Sequence, residues 1–265
     1  MTLKSLAPRL TAIGSGKGGT GKTFVAVALA QAFADLGESV LVCDADLGLA
    51  NTAVQLGLAN GGDLPGLLAG RIALADAVAH VAIAPHAGFD LLSAPAGTGA
   101  LADADGETAE RLAALLKRAA GYDRVLIDLG AGVGAAAMTL AAHADDTLVL
   151  ATPDPASLTD AYAFAKLMLK RTGGRAPAIV VNMAAGASEA KRTADTFIRS
   201  AQIFLKTVPT YLGFVPTDAR VVEAVRRQTM LCALYPQSSA VAAIAALAGQ
   251  LGGKTGGSPG GQSLR

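Results

Sequence analysis

Residues 16–23, GKGGTGKT, fit the pattern G-x-x-x-x-G-K-[ST] and restrict the fold more than any other part of this chain. An apolar run, RLTAIGS (9–15), precedes them, and a segment with apolar residues at helical spacing, TFVAVALAQAFADLG (23–37), follows. A loop of this pattern between a strand and a helix binds phosphate groups. The sequence therefore predicts a strand-loop-helix unit, the building block of a layered α/β fold.

The glycines of this loop are expected to shape its backbone around an anion. Small residues let successive backbone N–H groups turn toward phosphate oxygens in conformations that would strain a side chain. The helix that follows directs its positive N-terminus at the same anion. The residues expected to bind phosphate through the backbone are Gly16, Gly18, Gly19, Thr20 and Gly21.

The loop also carries two lysines, although a phosphate-binding loop needs only one. Lys22 is expected to reach the β- and γ-phosphates of a nucleotide, and the Thr23 hydroxyl is expected to bind Mg²⁺. One loop cannot easily direct two long cations at a single γ-phosphate. The other lysine, Lys17, therefore requires a separate role.

Apolar, β-branched runs alternate with helix-like segments along the rest of the chain. This alternation predicts a single doubly wound α/β domain over residues 1–251, with a mostly parallel sheet of about seven to eight strands flanked by helices. Hydrophobic residues make up 52% of the chain and charged residues 16%, as in a sheet covered on both faces. The Gly/Ser-rich tail, 252–265, is expected to be disordered. The predicted strands are 9–15, 39–46, 89–95, 124–130, 146–153, 178–183 and 210–216.

Three aspartates follow predicted strands at the edge where doubly wound sheets bind ligands. Asp128 in RVLIDLG has the position of a carboxylate that holds the water shell of a metal. Asp44 and Asp46 in CDADLGLAN are two residues apart and so share a face of their strand. One of the pair can lie near magnesium while the other orients the attacking water. The alternative is that both only cap the next turn.

Composition argues against several other classes of protein. Cys43 and Cys232 are far apart, and the three histidines lack the spacing of metal ligands, so neither a disulfide framework nor a metal cluster is predicted. No run approaches the roughly 18–20 apolar residues of a membrane span. The first residues, MTLKSLAPRLTAI, do not resemble a signal peptide. We expect a soluble, cytoplasmic protein.

The two parts of the chain differ in charge. Residues 1–150 contain 9 Lys and Arg against 15 Asp and Glu, a net of −6, whereas residues 151–265 contain 13 against 6, a net of +7. In the segment 188–207, Arg192, Arg199 and Lys206 recur every seven residues and are predicted to share one helix face, opposite an apolar face. Such a face is either simply solvated or a surface for a partner or lipid. Contact with membrane or DNA stays open.

The loop sequence KGGTGKT (17–23) resembles the deviant Walker A motif, KGGxGKT, of the MinD/ParA class of P-loop ATPases. In that class the first lysine, here Lys17, reaches the phosphates of the nucleotide held by a second subunit. The resemblance thus implies that Lys17 makes ATP the bridge of a homodimer. It also implies ATP or ADP and Mg²⁺ as cofactors and slow, Mg-dependent ATP hydrolysis in which Lys17, Lys22 and Asp46 take part.

Other segments resemble one subgroup of this class, the flagellar-number regulators FlhG (FleN). TPDPASLTDAYAFAKLM (152–168), YLGFVPTDARVVEAVRRQ (211–228) and YPQSSA (235–240) are similar to that subgroup, and CDADLGLANTAVQLGL (43–58) is similar to MinD. The resemblance implies a regulator of flagellar number or placement with an FlhF- or FleQ-like partner and a polar or peripheral membrane location. The last predicted helix, 240–251, lacks the aromatic and basic residues of a membrane-targeting helix.

The family pattern assigns roles to residues outside the loop. Asn182 would contact the adenine, and Pro216 and Asp218 would line the base pocket. Asp46 would orient the attacking water.

The same family pattern assigns the metal ligands and leaves other functions of the class open. Asp44 and Asp128 would form the magnesium-side pair, with Thr23. The rival functions are a ParA-type partitioning ATPase that binds DNA non-specifically and a MinD-like regulator of the division site. Metabolic ligases of the same fold generally lack a lysine at the position of Lys17.

Overall fold

A computed structural model describes residues 7–46, 50–83, 85–95 and 105–252. Residues 253–265 of the predicted tail lie outside this range, as do Leu47, Gly48 and Leu49 of the segment that resembles MinD. No helix of the described ranges is long and apolar enough to span a membrane.

In the described part of the chain, eight strands form one sheet in the order β3-β4-β2-β5-β1-β6-β7-β8. All neighbouring strands are parallel except the edge pair β3 and β4, which is antiparallel. The doubly wound, mostly parallel sheet predicted from the sequence is therefore confirmed. The strands are β1 (Arg9–Gly14), β2 (Val40–Ala45), β3 (Ala79–Ile83), β4 (His86–Leu92), β5 (Arg124–Leu129), β6 (Asp146–Ala151), β7 (Ala178–Ala184) and β8 (Tyr211–Pro216).

Strand β3 was not predicted from the sequence. It lies at the edge of the sheet, only Val81 of its five residues is buried, and His80 interrupts its apolar run. Because β3 pairs with β4 from His86 onward, β4 starts three residues before its predicted start. An edge strand contributes little to the core, and so its apolar signal is weak.

Helices cover both faces of the sheet. The predicted first and last helices are confirmed, with bounds that differ from the predicted ones by one or two residues at each end. The helices are α1 (Lys22–Asp35), α2 (Thr52–Gln55), α3 (Leu64–Leu68), α4 (Leu74–Ala77), α5 (Gly106–Lys117), α6 (Ala135–His143), α7 (Pro155–Thr172), α8 (Ala187–Ser200), α9 (Ala219–Arg226), α10 (Leu231–Leu234) and α11 (Ser239–Gly252).

The core consists of two apolar layers, one on each face of the sheet. Alternate residues of β5 supply both layers: Val125 and Ile127 pack in the layer with α5, α6, α7 and α8, and Leu126 packs in the layer with α1 and α11. Strands covered on both faces read as unbroken apolar runs. For this reason the inner strands could be found from sequence.

The segment predicted as one basic helix face, 188–207, divides into two parts. Helix α8 ends at Ser200, and a π-helical turn, Ala201–Leu205, follows it. Lys206 then adopts a left-handed conformation, with φ of 54°, so the prediction that it shares a helix face with Arg192 and Arg199 is wrong. The wider π turn changes the angle between successive residues and ends the seven-residue repeat.

Candidate nucleotide-binding site

The loop 15–21 connects β1, in the middle of the sheet, to α1. Strand β5 pairs with β1 and with β2, and the register places Asp128 of β5 directly beside Asp44 of β2 and beside Ile13 of β1. The sheet thus brings both carboxylates to the edge from which the loop emerges. The sequence had predicted this convergence from the ends of the strands.

The glycines of the loop are required for two different reasons. Gly19 and Gly21 have φ of 76° and 85°, the left-handed region that side chains disfavour. Gly16 lies against the backbone of α7, where a Cβ atom would stand 2.0 Å from the carbonyl oxygen of Asp160. At Gly18 a Cβ atom would meet only Ala131, at an ordinary 3.8 Å. The expectation of a conformation that excludes side chains is therefore wrong for Gly18.

Lys22 opens α1 from a buried position. Its side chain is folded into the loop, where Nζ donates a hydrogen bond to Oγ of Ser15 at 3.1 Å. Burial lowers the pKa of the lysine, and the negative charges of Asp128 and Asp46 oppose that shift. The ammonium group therefore lies within the field of the site's carboxylates. Ser15 had not been identified from the sequence.

Asp128 is the most perturbed acid of the site. It is 2% exposed, and burial raises its pKa to about 7; the charges of Asp44 and Asp46 add to the rise, whereas Lys22 and a hydrogen bond from Thr23 oppose it. Within the described residues its Oδ1 atom accepts no hydrogen bond. A bound ion or water is one of the partners that satisfy a buried polar atom of this kind.

This arrangement fits Mg²⁺ and a nucleotide. The Thr23 hydroxyl adjoins Asp128, and the Oγ1 atom of Thr20 in the loop is likewise buried with no partner among the described residues. The described ranges contain no group of three or more His, Cys, Asp or Glu that would hold a metal by itself. Magnesium in nucleotide sites is usually held by one or two protein ligands together with phosphates and waters. Thr23 and Asp128 are the side chains that could bind it, and this role stays a prediction.

Asp44 is already engaged by its own segment. Its carboxylate accepts hydrogen bonds from the backbone N–H groups of Asp46, Asn51 and Thr52 at 3.2, 3.1 and 3.0 Å and from Oγ of Ser93 at 3.3 Å. These bonds are those of a carboxylate that caps the turn before α2, the alternative that the sequence had left open. A magnesium-side role for Asp44 stays a prediction.

Asp46 lies between the loop and the segment after β5. A Cβ atom on Gly130 would stand 3.4 Å from its Cγ atom, so the side chain packs directly on that glycine. Its charge also acts on Lys22 and Asp128. The position is suitable for orienting a water molecule near the phosphates, which stays a prediction.

Lys17 has a different partner from Lys22. Its Nζ atom forms an ion pair of 2.5 Å with Oδ2 of Asp154, and its side chain is 36% exposed. Asp154 also accepts hydrogen bonds from the N–H groups of Ala156 and Ser157 and thereby caps α7. Lys17 and the capping N–H bonds hold the pKa of Asp154 below its usual range. The sequence analysis missed this residue, although an aspartate followed by Pro155 is typical of a helix start.

The residues expected around the base lie at the ends of β7 and β8. Asn182 is buried, and its Nδ2 atom donates a hydrogen bond of 2.8 Å to the carbonyl oxygen of Thr20, which ties β7 to the phosphate loop. Pro216 is the last residue of β8, which is separated from β1 by β6 and β7. The structure therefore brings Asn182 to the loop directly. Contacts of Asn182 and Pro216 with adenine stay predictions.

Asp218 has a structural task in this structure. Its carboxylate accepts hydrogen bonds of 2.8 Å from Nε and from Nη2 of Arg220, and one of 2.7 Å from Oγ of Ser238. It also caps α9 through the N–H of Arg220. Arg220 and Ser238 hold the pKa of this carboxyl well below its usual range. A contact of Asp218 with the base stays a prediction.

A comparison with protein families identifies the family. Residues 11–231 match the model of the CobQ/CobB/MinD/ParA nucleotide binding domain. The chain belongs to this family. The matched range contains every residue assigned to the site from the sequence, and it confirms the resemblance to the MinD/ParA class.

Individual relatives agree with this membership. The chain is 33% identical to the antiactivator FleN of Pseudomonas aeruginosa, over 91% of this chain and 85% of that protein. It is 29% identical to the flagellum site-determining protein YlxH of Helicobacter pylori, over 73% of this chain and 64% of that protein.

A solved structure extends the agreement to the fold. The septum site-determining protein MinD of Pyrococcus horikoshii, complexed with Mg-ADP, is similar with a TM-score of 0.75 and 25% identity, over 92% of this chain and 96% of that chain. The cofactors of this family member are thus an adenine nucleotide and Mg²⁺, which the loop and Asp128 fit.

Proposed function

We propose that this protein is a slow, Mg-dependent ATPase that works as a dimerisation switch and regulates flagellar number or placement. The position of Lys17 is the observation that most supports dimerisation. It extends from the loop toward Asp154 at the protein surface, whereas Lys22 alone is folded into the loop. Its exposure beside the phosphate site supports a contact with a nucleotide held by a second subunit.

In this proposal each side chain has a separate role in phosphoryl transfer. The loop N–H groups and Lys22 hold and neutralise the β- and γ-phosphates, and Lys17 does so from the second subunit. Asp46, packed on Gly130, accepts a hydrogen bond from the attacking water and orients it toward the γ-phosphate. Mg²⁺, when bound beside Thr23 and Asp128, supplies positive charge to the transferring group. Catalysis rests on positioning and electrostatics, without a covalent intermediate.

The flagellar role is supported by similarity to FleN and to the flagellum site-determining protein YlxH. A protein partner of the flagellar assembly or of its regulators, FlhF- or FleQ-like, would then bind the ATP-held dimer. A cytoplasmic and polar location would follow from that partner. The similarity to MinD supports a second candidate, regulation of the division site, through the same dimer switch.

The first experiment measures the solution mass of the Asp46→Ala protein by light scattering, with and without Mg-ATP. Loss of the water-orienting group should trap the ATP state, so the mass should rise from 26.4 kDa to about twice that value. The same shift should vanish in the double variant that also carries Lys17→Ala. Lys191→Ala, an exposed lysine paired with Asp195 on α8, is the matched control and should leave the dimer intact.

The outcomes separate the parts of the proposal. A Lys17→Ala protein that binds ATP and still dimerises would contradict the role of Lys17. A monomer in every variant would contradict the switch. Deletion of the gene in its native host, scored for both flagellar number and division-site placement, distinguishes the two cellular roles.

A further inference from the structure

A largely apolar cavity of about 190 Å³ lies on the α1 side of the sheet, between α1, the α9–α10 segment and α11. Val27, Met230 and Ile244 contribute to its wall, and Leu36 and Val225, which are 63% and 38% exposed, lie at its edge. An engineered apolar cavity of roughly 150 Å³ is known to stay dry and to bind benzene. The cavity is therefore large enough for a small aromatic ring, and it opens to the surface.

One polar group in its wall has an unused acceptor. Gln31 of α1 is 2% exposed, and its Nε2 atom donates hydrogen bonds of 2.9 Å to Oδ1 of Asp35 and 2.8 Å to the carbonyl oxygen of Ala87. Both partners are acceptors, so they fix the orientation of the amide with the nitrogen toward them. Over residues 7–46, 50–83, 85–95 and 105–252, no donor reaches Oε1 of Gln31.

A buried amide oxygen without a donor is uncommon, because most buried polar atoms in folded proteins have a partner. In this case the atom belongs to a residue that lines an apolar cavity with access to the surface. A ligand that complements both features must combine an apolar ring with one hydrogen-bond donor. A carboxylate or phosphate would be repelled by Asp35, which also lines the cavity.

We propose that this cavity is a binding site for a small, uncharged aromatic molecule, which inserts its ring between α1 and α11 and donates one N–H or O–H hydrogen bond to Oε1 of Gln31. The site is separate from the phosphate loop, and the proposal does not depend on the flagellar role or on dimerisation. Its nearest chemical models are indole and phenol.

The test compares indole with benzothiophene, which has nearly the same shape but no N–H group. Binding to the nucleotide-free full chain is measured by calorimetry and by the shifts of methyl signals in NMR spectra. A hydrogen bond to the amide should make indole bind roughly three- to tenfold more tightly. The Gln31→Met variant should lose this preference and still bind benzothiophene.

A second variant and a chemical reporter locate the binding. Ala28 lines the cavity, and Ala28→Leu should fill it and abolish the binding of both ligands. Cys232 also lines the cavity, whereas Cys43 is fully buried in β2. Bound indole should therefore slow the reaction of Cys232 with methyl methanethiosulfonate, as read by mass spectrometry. This readout remains informative if Gln31→Met fails to fold.

Three results would overturn the proposal. The first is that neither ligand binds saturably, as expected if the cavity holds only water. The second is equal affinity for indole and benzothiophene in the unmodified protein. The third is indole binding that survives Ala28→Leu and leaves the reaction of Cys232 unchanged. Mg-ATP binding by each variant serves as the control for a folded protein.

Discussion

Asp128 provides a quantitative prediction, because its burial should make the nucleotide-free protein less stable at neutral pH. Its pKa rises from 3.8 in an unfolded chain to about 7 in this structure. Well below pH 3.8 the group is protonated in both states. As the pH rises toward 7, the unfolded chain releases this proton and the folded protein retains it, so stability falls. At about 1.4 kcal/mol per pKa unit, the loss amounts to about 4 kcal/mol at pH 8.

The substitution Asp128→Asn keeps the shape and removes the charge. It also removes one of the two negative charges that act on Lys22, which offsets part of the effect. We therefore expect a gain of about 2–4 kcal/mol in the free energy of unfolding at pH 8 and much less at pH 4. This gain corresponds to a rise in Tm of roughly 5–15 °C. Scanning calorimetry of the nucleotide-free protein at several pH values measures it.

The same substitution should weaken the response to nucleotide. Mg-ATP at a hundred times its Kd stabilises a protein by about 2.7 kcal/mol, and most of that increment should disappear in Asp128→Asn. Asp195→Asn, which removes an exposed carboxylate paired with Lys191, is the control and should change neither quantity appreciably. A difference in stability between Asp128→Asn and the unmodified protein that is equal at pH 5 and pH 8 would refute the reasoning.

Three further predictions test the contacts around the loop. Asn182→Ala leaves a carbonyl group of the loop without its donor, so we expect a loss of about 1–3 kcal/mol in urea unfolding and weaker nucleotide binding; unchanged stability would contradict this. Gly16→Ala forces a Cβ atom into the backbone of α7 and should destabilise the protein by about 3 kcal/mol or more, whereas Gly18→Ala should be tolerated. Similar melting temperatures for the two variants would contradict this prediction. Asp154→Asn keeps a good helix cap but removes the ion pair with Lys17. It should lower the ATP concentration needed for half-maximal dimerisation in light scattering. If a higher ATP concentration were needed, the ion pair would instead hold Lys17 in its productive position.

Much of the fold was predictable because its signals are local. The inner strands are buried on both faces and read as apolar runs, and the loop glycines mark the turn from β1 into α1. The two elements that sequence reasoning missed or misjudged have weak local signals. Strand β3 is a mostly exposed edge, and the π-helical turn after α8 interrupts a helical repeat that the sequence itself continues.

The residues of the site also divide into those with local sequence signals and those whose partners depend on the fold. The sequence by itself determined the phosphate loop with Lys22 and Thr23, and the aspartates at the strand ends, because each depends only on neighbouring residues and on the period of a strand. Only the tertiary structure decided which partners these side chains have. Lys17 meets Asp154 because β6 pairs with β1, which brings the residues after both strands to the same edge of the sheet. Such a contact spans 137 residues and depends on strand order, which local sequence does not encode.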